Sequence, residues 1–398
     1  MATFTVDFLG CKVSQTDGQE IRERLLADGH ASAREAADVA VVNTCCVTHE
    51  AVRKSRQAAR RAARTAGRVY VTGCGANLAG DAFAGLPDNV TVVRLPSERT
   101  PEFVARDVGA IGCVRADFGV DRVRAFVKIQ DGCSFGCAFC VIPQVRGGSR
   151  SRPAEAVLGE VRRRVEQGHR EVVLTGINLG CYRDRGAGFD LAQLVRDAGA
   201  MPRLERLRLS SIEVNHLSES LIAAIRETPV VSPHLHVPLQ SGDDRVLAAM
   251  GRRYTSATYL RRVARAEGFN LTADVIVGFP AEDEAAFART LAVVREAGLT
   301  KVHVFPYSPR PGTQTAASDT VSPEVKKERS ARLRALSAKA CRRRWHEKVG
   351  SEDAVLVDRP GRGYGDDYTP WLVEAPLGEL VRARAVDVSE NGIVGVPV

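Results

Sequence analysis

The first third of the chain alternates between strand-like apolar runs and helical repeats of apolar residues. Three strands and two helices are predicted, in the order strand, helix, strand, helix, strand: residues 3–9, 15–28, 39–42, about 49–66, and 68–71. One cysteine comes shortly after each strand: Cys11, Cys45 and Cys74. In a parallel sheet with right-handed crossovers, the carboxyl ends of the strands share one edge. The three thiols are therefore predicted to converge at that edge as a three-cysteine cluster site.

A second alternation runs from residue 124 to residue 306. Strands are predicted at residues 124–129, 171–175, 206–210, 234–239, 271–277 and 301–306. Helices are predicted between them at residues 153–167, 190–199, 217–227, 256–267 and 283–297. Six strands separated by helices predict an incomplete α/β barrel of the (β/α)6 type. Barrels of this kind carry their active sites at the carboxyl ends of the strands.

The remaining segments indicate how the chain divides into domains. Residues 80–120 are irregular and rich in Pro and Gly, and the end of this segment is predicted to be a linker. A basic helix is predicted at 323–348, and the short Val, Leu and Ile runs of the last fifty residues are typical of a small all-β domain. We therefore predict an α/β protein with three domains: residues 1–118, 119–348 and 349–398.

The composition indicates a globular protein of a reducing compartment. With 398 residues and 44% hydrophobic content, the chain can bury large cores. It begins without the pattern of a signal peptide, and no apolar run approaches the length of a membrane span. Ten cysteines without an export signal favour metal ligation over disulfides. We therefore expect a cytoplasmic protein with no membrane partner.

The net charge is unevenly distributed. It totals +8, yet residues 350–398 hold four Arg against nine Asp and Glu, so the rest of the chain is strongly basic. A basic body suggests a polyanionic partner, of which nucleic acid is the usual candidate. Ordinary solvated arginines in an Arg-rich and Ala-rich sequence would produce the same pattern.

A C-x3-C-x2-C motif follows the first strand of the predicted barrel. Its cysteines are Cys133, Cys137 and Cys140, close enough for one loop to present three sulfurs to one metal centre. Structural zinc sites and simple electron-transfer 4Fe–4S clusters take four ligands, and no fourth Cys or His follows closely. The spacing favours a 4Fe–4S cluster with one open iron, and it is the signature of the radical S-adenosylmethionine (radical SAM) superfamily. A zinc loop or three structural thiols are the alternatives.

Together, the two cysteine sets resemble those of the radical SAM methylthiotransferases over the whole chain. The similar stretches are Gly10-Cys11-Lys12-Val13, Asn43-Thr44-Cys45, Thr72-Gly73-Cys74, Ile142-Pro143 with Arg146-Gly147, the run from His236 to Gly242, and the run from Asp274 to Pro280. Departures from the family pattern are Ser14, Asn77, Ala281 and a second cysteine, Cys46, beside Cys45. We assign the ligand role to Cys45 because it follows the Asn-Thr pair of the motif.

The last domain is similar to the TRAM module, a small β-barrel associated with RNA binding. Its acidic charge is a poor match for phosphate groups. RNA binding is therefore expected to rest more on the basic helices at residues 53–68 and 323–348.

The resemblance implies a tRNA-modifying enzyme that forms a carbon–sulfur bond at an unactivated adenine carbon. It implies two 4Fe–4S clusters, one on each cysteine set, with SAM as both radical source and methyl donor. In this scheme the core cluster cleaves SAM, the other cluster holds a sulfur that a second SAM methylates, and a radical step attaches the methylthio group to the base. The implied partners are the tRNA anticodon stem-loop, an electron donor such as flavodoxin or ferredoxin, and a sulfur donor.

The resemblance also implies SAM contacts. Phe139 would lie near the adenine, Gly176 and Asn178 near the amino group, and Gly278 where backbone approaches the nucleoside. Arg146 would bind the SAM carboxylate or an RNA phosphate. Turn geometry is the alternative for the glycines. We expect solvated side chains at Arg150 and Arg152, thiols outside either cluster at Cys113, Cys181 and Cys341, and a core role for His234 and His236.

Three branches of the family remain open. Lys12-Val13, residues 174–180 and residues 304–308 resemble the branch that modifies threonylcarbamoyladenosine. The alternatives are the branches that act on isopentenyladenosine in tRNA and on a ribosomal-protein aspartate. A protein of another class, a non-catalytic iron–sulfur or zinc protein that binds RNA and senses redox state, would need no SAM.

Overall fold

The computed structural model describes residues 1–109 and 123–398. The described residues form two compact units. The first comprises residues 1–109, 131–150 and 308–318, and the second comprises residues 123–130, 151–307 and 319–398. The division into three domains stays a prediction. The end of the predicted linker and Cys113 lie outside the described residues.

The first unit contains a five-stranded parallel sheet with the strand order β2-β1-β3-β4-β5. Its strands are β1 (Thr3–Phe8), β2 (Ala31–Ser32), β3 (Ala37–Thr44), β4 (Ala66–Thr72) and β5 (Val90–Val92). Its helices are α1 (Lys12–Ala27), α2 (His49–Ala62), α3 (Gly73–Ala76) and α4 (Thr100–Val108). The predicted βαβαβ alternation is confirmed.

This sheet is apolar on both faces, because consecutive residues of a strand point to opposite sides. Val41 packs with Ile21 of α1 on one face, and Val42 packs with Ala58 of α2 on the other. Burial on both faces fixes the strand register. The residues that follow β1, β3 and β4 are therefore held at one edge of the sheet.

All six strands predicted for the barrel are present. The strands of this part are β6 (Arg124–Asp131), β7 (Arg150–Ser151), β8 (Glu171–Gly176), β9 (Arg183–Asp184), β10 (Phe189–Asp190), β11 (Arg206–Leu209), β12 (His234–His236), β13 (Asn270–Val277) and β14 (Lys301–Pro306). The helices are α5 (Ile142–Arg146), α6 (Ala154–Glu166), α7 (Leu191–Gly199), α8 (Glu219–Glu227), α9 (Asp244–Ala249), α10 (Ser256–Val263), α11 (Glu284–Glu296) and α12 (Pro323–Glu347).

The barrel is incomplete, as expected. β6, β8 and β11 are parallel neighbours in one sheet, and β12, β13 and β14 are parallel neighbours in another. Isolated parallel bridges between Leu207 and Val231 and between Ser211 and His236 join the two groups. β12 is shorter than predicted, although the amides of Val237 and Leu239 still donate to the carbonyls of Thr272 and Asp274 in β13.

The last fifty residues form a closed five-stranded barrel around Trp371, which is 1% exposed. Its strands are β15 (Glu352–Arg359), β16 (Arg362–Tyr364), β17 (Pro370–Leu372), β18 (Leu380–Ser389) and β19 (Gly392–Pro397). The predicted small all-β domain is confirmed. Among the described residues, no helix is both long and apolar enough to cross a membrane.

The acidic β-barrel is docked on buried arginines of the second unit. Arg124, Arg206 and Arg208 surround Glu171 at the beginning of β8, with nitrogen–oxygen distances of 2.9 to 3.3 Å. Asp358 pairs with Arg124 at 3.2 Å, and Asp366 pairs with Arg206. The three buried guanidinium charges are thus matched by three carboxylates, two of them supplied by the β-barrel. Part of the acidic excess of the β-barrel therefore forms ion pairs with the rest of the second unit.

Candidate cysteine centres and cofactor site

The structure brings Cys11, Cys45 and Cys74 to one edge of the amino-terminal sheet. Cys11 is exposed and stands at the N-cap position of α1, directly after β1. Cys45 follows β3 and is buried, and Cys74 is buried in α3, a single turn that follows β4. Each thiol therefore lies where a parallel strand ends, as the sequence pattern predicts.

A glycine before two of these cysteines allows the segments to approach closely. Gly10 has a φ of +124°, and a Cβ atom there would lie 3.1 Å from Cβ of Cys45. Gly73 has a φ of +86°, and a Cβ atom there would lie 1.9 Å from Oδ1 of Asn43 and 2.8 Å from the carbonyl oxygen of Thr44. Any other residue at these two positions would strain the backbone and would also contact its neighbours too closely.

The Asn43-Thr44 pair before Cys45 is built into the same edge. The side-chain amide of Asn43 donates to the carbonyl of Ser14 in α1 at 2.6 Å. The hydroxyl of Thr44 donates to the carbonyl of Thr72 at 2.5 Å and accepts from the backbone amide of Ala76 at 3.2 Å. This pair therefore connects the segments that carry the three cysteines.

The thiols at this edge affect each other electrostatically. Burial, with the neighbouring Cys74 and Cys11, raises the pKa of Cys45 to about 11. A hydrogen bond from Cys46 and the charge of Arg146 lower the pKa of Cys74 to about 7 despite its burial. Three thiolates can be ionised together here only with a compensating cation, so the donor set fits a metal cluster.

Cys46 occupies a different position from Cys45. Its side chain is fully buried beside Val141, Val145 and Leu78, and its thiol is hydrogen-bonded to Cys74. Cys45 is the thiol that interacts with both Cys11 and Cys74. This arrangement supports Cys45 as the second ligand.

Arg146 has a different environment from the one that the resemblance implies. Its Nε donates to Sγ of Cys74 at 2.9 Å, its Nη1 donates to Asp131 at 3.0 Å and its Nη2 donates to Asp17 at 2.6 Å. Arg146 is 7% exposed, and both carboxylates are buried as well. All three nitrogens are engaged within the first unit, where the guanidinium supports the thiol of Cys74. A contact of Arg146 with a SAM carboxylate or an RNA phosphate stays a prediction.

Arg310 is a site residue that the sequence analysis missed. It is 3% exposed, it donates to the carbonyl of Cys46 at 3.4 Å, and its charge interacts with the thiols of Cys45 and Cys46. His49 at the start of α2 is hydrogen-bonded to the carbonyl of Pro309 at 2.8 Å and holds this segment in place. In the sequence, the position of Arg310 between two prolines is the one signal that could have drawn attention to it.

The C-x3-C-x2-C loop belongs to the same compact unit and is fixed by backbone contacts. The amide of Cys133 donates to the carbonyl of Gly147 at 3.0 Å. Gly132 has a φ of +67°, and a Cβ atom there would lie 2.1 Å from the carbonyl oxygen of Gly148. Thr315 donates to the carbonyl of Ala138 through both its amide and its hydroxyl. Cys133, Cys137 and Cys140 are all partly exposed, as ligands that meet an incoming cofactor must be.

Of the predicted SAM-binding residues in the second unit, Asn178 fits the role best. Its backbone amide donates to Oε1 of Gln130 at 2.8 Å, while its side-chain Oδ1 is buried and has no hydrogen-bond partner among the described residues. A buried acceptor without a donor is costly, and an ammonium group would satisfy it. The position thus fits the amino group of SAM.

Gly176 and Gly278 are explained by packing. A Cβ atom at Gly176 would lie 3.0 Å from the side chain of Gln130. Gly278 has a φ of +73°, a Cβ atom there would lie 2.4 Å from Lys326, and its amide donates to Glu282 at 2.7 Å. Phe139 is partly buried in the first unit. The SAM contacts of these residues stay predictions.

The other cysteines and arginines have local roles. Cys181 contacts Nε2 of His216 at 3.2 Å, Cys341 donates to the carbonyl of Thr300 at 3.0 Å, and none of the nine described cysteines forms a disulfide. Arg150 is exposed and pairs with Glu98 at 3.4 Å, whereas Arg152 pairs with Glu160 at 2.7 Å.

Comparisons with known proteins agree with this geometry. A family model described as the radical SAM superfamily matches residues 127–294, and one described as uncharacterized protein family UPF0004 matches residues 3–94. The threonylcarbamoyladenosine tRNA methylthiotransferase MtaB of Chlamydia pneumoniae is 33% identical and covers 99% of this chain and 97% of its own. A tRNA-2-methylthio-N(6)-dimethylallyladenosine synthase of Cereibacter sphaeroides is 34% identical and covers 97% and 96%.

Solved structures support the fold alone. The radical SAM methyltransferase TsrM of Kitasatospora setae superimposes with a TM-score of 0.59 at 14% identity, covering 79% of this chain and 75% of its own. Fold and motif define a radical SAM enzyme with an added amino-terminal α/β domain. The chain belongs to the radical SAM tRNA methylthiotransferase family, whose chemistry requires SAM and a 4Fe–4S cluster.

Proposed function

We propose that this enzyme converts threonylcarbamoyladenosine beside the tRNA anticodon into its 2-methylthio derivative, with two 4Fe–4S clusters and SAM. The observation that carries the proposal is the meeting of Cys11, Cys45 and Cys74 at one sheet edge, in addition to the C-x3-C-x2-C loop. Insertion of sulfur requires a place that holds sulfur, and a second set of three thiols provides it.

The substrate assignment rests on sequence stretches. Relatives at 33% and 32% identity carry the threonylcarbamoyladenosine name, and one at 34% carries the dimethylallyladenosine name, so identity alone does not decide between them. Lys12-Val13 after the first cysteine and residues 304–308 favour the threonylcarbamoyl branch.

When bound, the clusters and SAM supply a sulfur atom, a methyl group and a radical able to attack an unactivated C–H bond. The chain itself holds and orients these groups. Arg146 donates a charge-assisted hydrogen bond to the sulfur of Cys74, and Arg310 adds a second buried positive charge near Cys45. Asn178 would accept a hydrogen bond from the amino group of SAM.

The RNA would be bound by exposed basic residues of α2 and α12. Some of the basic residues of α12 pair with acidic residues of the protein, since Arg329 pairs with Glu282 and Arg344 pairs with Asp367. The basic residues of α12 that remain exposed outside these pairs include Lys327, Arg334, Lys339, Arg342 and Arg343. Contacts of this kind bind phosphates without reading sequence. An electron donor and a sulfur donor complete the proposed reaction.

Mass spectrometry of tRNA nucleosides from cells with and without this gene tests the proposal. We expect the 2-methylthio derivative of threonylcarbamoyladenosine to disappear and its precursor to accumulate in the deletion strain. Loss of methylthio-isopentenyladenosine instead would assign the enzyme to the other tRNA branch. An unchanged nucleoside profile in a strain without a second such gene would contradict a tRNA substrate.

A further inference from the structure

Three side chains that could bind a metal ion lie on neighbouring strands of the second unit. They are His236 at the end of β12, Asp274 in β13 and His303 in β14. Asp274 and His303 are register partners, and His236 is the partner of Thr272, two residues before Asp274 and hence on the same face. Val275, the next residue of β13, points to the opposite face and belongs to the hydrophobic core. The three side chains therefore share the face of the sheet that is turned away from that core.

Their geometry is that of a ligand set. One donor atom from each of the three side chains lies within 4.8 Å of the other two, and Nε2 of His236 is 3.2 Å from Oδ1 of Asp274. Two imidazoles and one carboxylate are a donor set that suits divalent first-row transition metals and leaves coordination positions open. The six cysteines of the proposed cluster sites contribute nothing to this set.

The outer contacts of His236 supply a second, independent observation. Its Nδ1 lies 2.9 Å from the hydroxyl of Thr272, which also lies 3.1 Å from Nε2 of His234. The hydroxyl fixes the ring so that Nε2 is directed toward Asp274. Metal-binding histidines almost always have such a partner on the nitrogen that does not bind the metal.

The site is also accessible. The side chains of His236 and Asp274 are 13% and 27% exposed, and His303 is exposed. An ion can therefore reach the three donors from solvent and can keep water or an anionic oxygen ligand in its open positions. A purely structural zinc site would be closed by a fourth protein ligand.

We propose that His236, Asp274 and His303 bind one divalent transition-metal ion of the Zn²⁺ type, separate from both cysteine sets. This assignment does not depend on which nucleoside the enzyme modifies. The competing interpretation is an imidazole–carboxylate hydrogen bond between His236 and Asp274, with His303 as a neighbour that has no ligand role.

Equilibrium dialysis of the full-length, cluster-loaded protein against Zn²⁺ tests the site. Zinc bound per chain is measured by elemental mass spectrometry in the wild type, His303→Ala and Asp274→Asn. We expect one equivalent of Zn²⁺ to be lost in both variants. Thr272→Val should bind this equivalent about ten- to a hundredfold more weakly, because it removes only the outer partner. His346→Ala, at an exposed position of α12, is the matched control and should bind as the wild type does.

Zinc held by thiols would contribute equally in all variants and cancels in the comparison. Zinc X-ray absorption of the wild type should show imidazole scattering that is lost in His303→Ala. Equal zinc stoichiometry and affinity in the wild type, His303→Ala and Asp274→Asn, with unchanged circular dichroism, would overturn the proposal and leave a simple hydrogen-bonded pair.

Discussion

At the scale of single residues, the positions of Cys11, Cys45 and Cys74 at the sheet edge depend on neighbouring residues that are not themselves ligands. Gly73 must adopt a positive φ while its α-carbon faces Asn43 and Thr44. Thr44 in turn binds the segment that carries Cys74. The thiols are thus positioned by the residues between strand and cysteine, which explains why Asn-Thr and Thr-Gly precede Cys45 and Cys74.

We predict that Gly73→Ala destabilises the protein by about 2–4 kcal/mol, since it combines left-handed strain with overpacking. It should also lower the iron content of the amino-terminal cysteine set while the core loop still assembles its cluster. Gly80→Ala is the control, because Gly80 has a similar φ of +88° but no atom within 4 Å of a Cβ. Thermal unfolding and iron analysis measure both effects. Equal behaviour of the two variants would contradict the steric argument.

We predict that Arg146→Gln lowers the free energy of unfolding by about 3–5 kcal/mol, because it leaves the buried carboxylates of Asp17 and Asp131 without their cation. It should also shift the reduction potential of the proposed cluster on Cys74 to a more negative value, since a hydrogen-bond donor to the sulfur is lost. Arg196→Gln, which removes a surface pair with Glu227, is the control and should change stability by less than about 1 kcal/mol. Redox titration monitored by electron paramagnetic resonance measures this potential, and an unchanged potential in Arg146→Gln would refute this role.

At the scale of helices and strands, regular periodicity was predictable and short or irregular elements were not. The six barrel strands and α1, α2 and α6 follow from runs long enough to show a period. The single turn α3 has four residues, and β5 and α4 lie in a segment interrupted by prolines. Such elements are selected by tertiary contacts, which local sequence does not contain.

The candidate site likewise has features that the sequence predicts and features that depend on tertiary contacts. The convergence of Cys11, Cys45 and Cys74 follows from strand order alone. The partners of Arg146 could not be predicted, because Cys74 lies 72 residues and Asp17 lies 129 residues away along the chain. Arg310 is farther still, 264 residues from Cys46, and reaches it only through the folded chain.

At the element scale, α12 provides a test of RNA binding. We predict that replacing the exposed Lys339, Arg342 and Arg343 by Gln weakens tRNA binding equally for all tRNA sequences. The slope of log affinity against log salt should fall by about one for each phosphate that the variant no longer binds. Arg382→Gln with Arg384→Gln, on the acidic β-barrel and paired with Glu352, is the control and should leave the slope unchanged. A lower slope in the β-barrel variant, with an unchanged slope in the α12 variant, would assign RNA binding to the β-barrel.

At the scale of the whole chain, the acidic β-barrel acquires a role that its charge alone did not reveal. Asp366 meets Arg206 from a position 160 residues away, and Asp367 pairs with Arg344 at 2.8 Å and Lys348 at 2.9 Å. The acidic excess matches basic groups of the second unit. Sequence composition showed the imbalance of charge but could not show which groups would meet.

We predict that Asp367→Asn lowers stability by roughly 3 kcal/mol at neutral pH. Burial alone would raise the pKa of Asp367, but Lys348 and the hydrogen bonds from Thr369 and Arg344 hold it well below its usual value. A depressed carboxyl pKa stabilises the fold above about pH 4, and this contribution is lost as the pH falls toward the folded-state pKa. The difference in melting temperature should therefore shrink in acid. Glu390→Gln, at an exposed position, is the control.

The two cysteine sets are expected to perform separate steps, and one comparison measures this directly. Cys11→Ala and Cys133→Ala are purified anaerobically, reduced, and assayed for release of deoxyadenosine from SAM and for methylthiolation of tRNA. We predict that Cys11→Ala releases deoxyadenosine but forms no methylthio product, whereas Cys133→Ala does neither. Loss of SAM cleavage in Cys11→Ala with its core cluster intact would contradict the division of labour between the two sites.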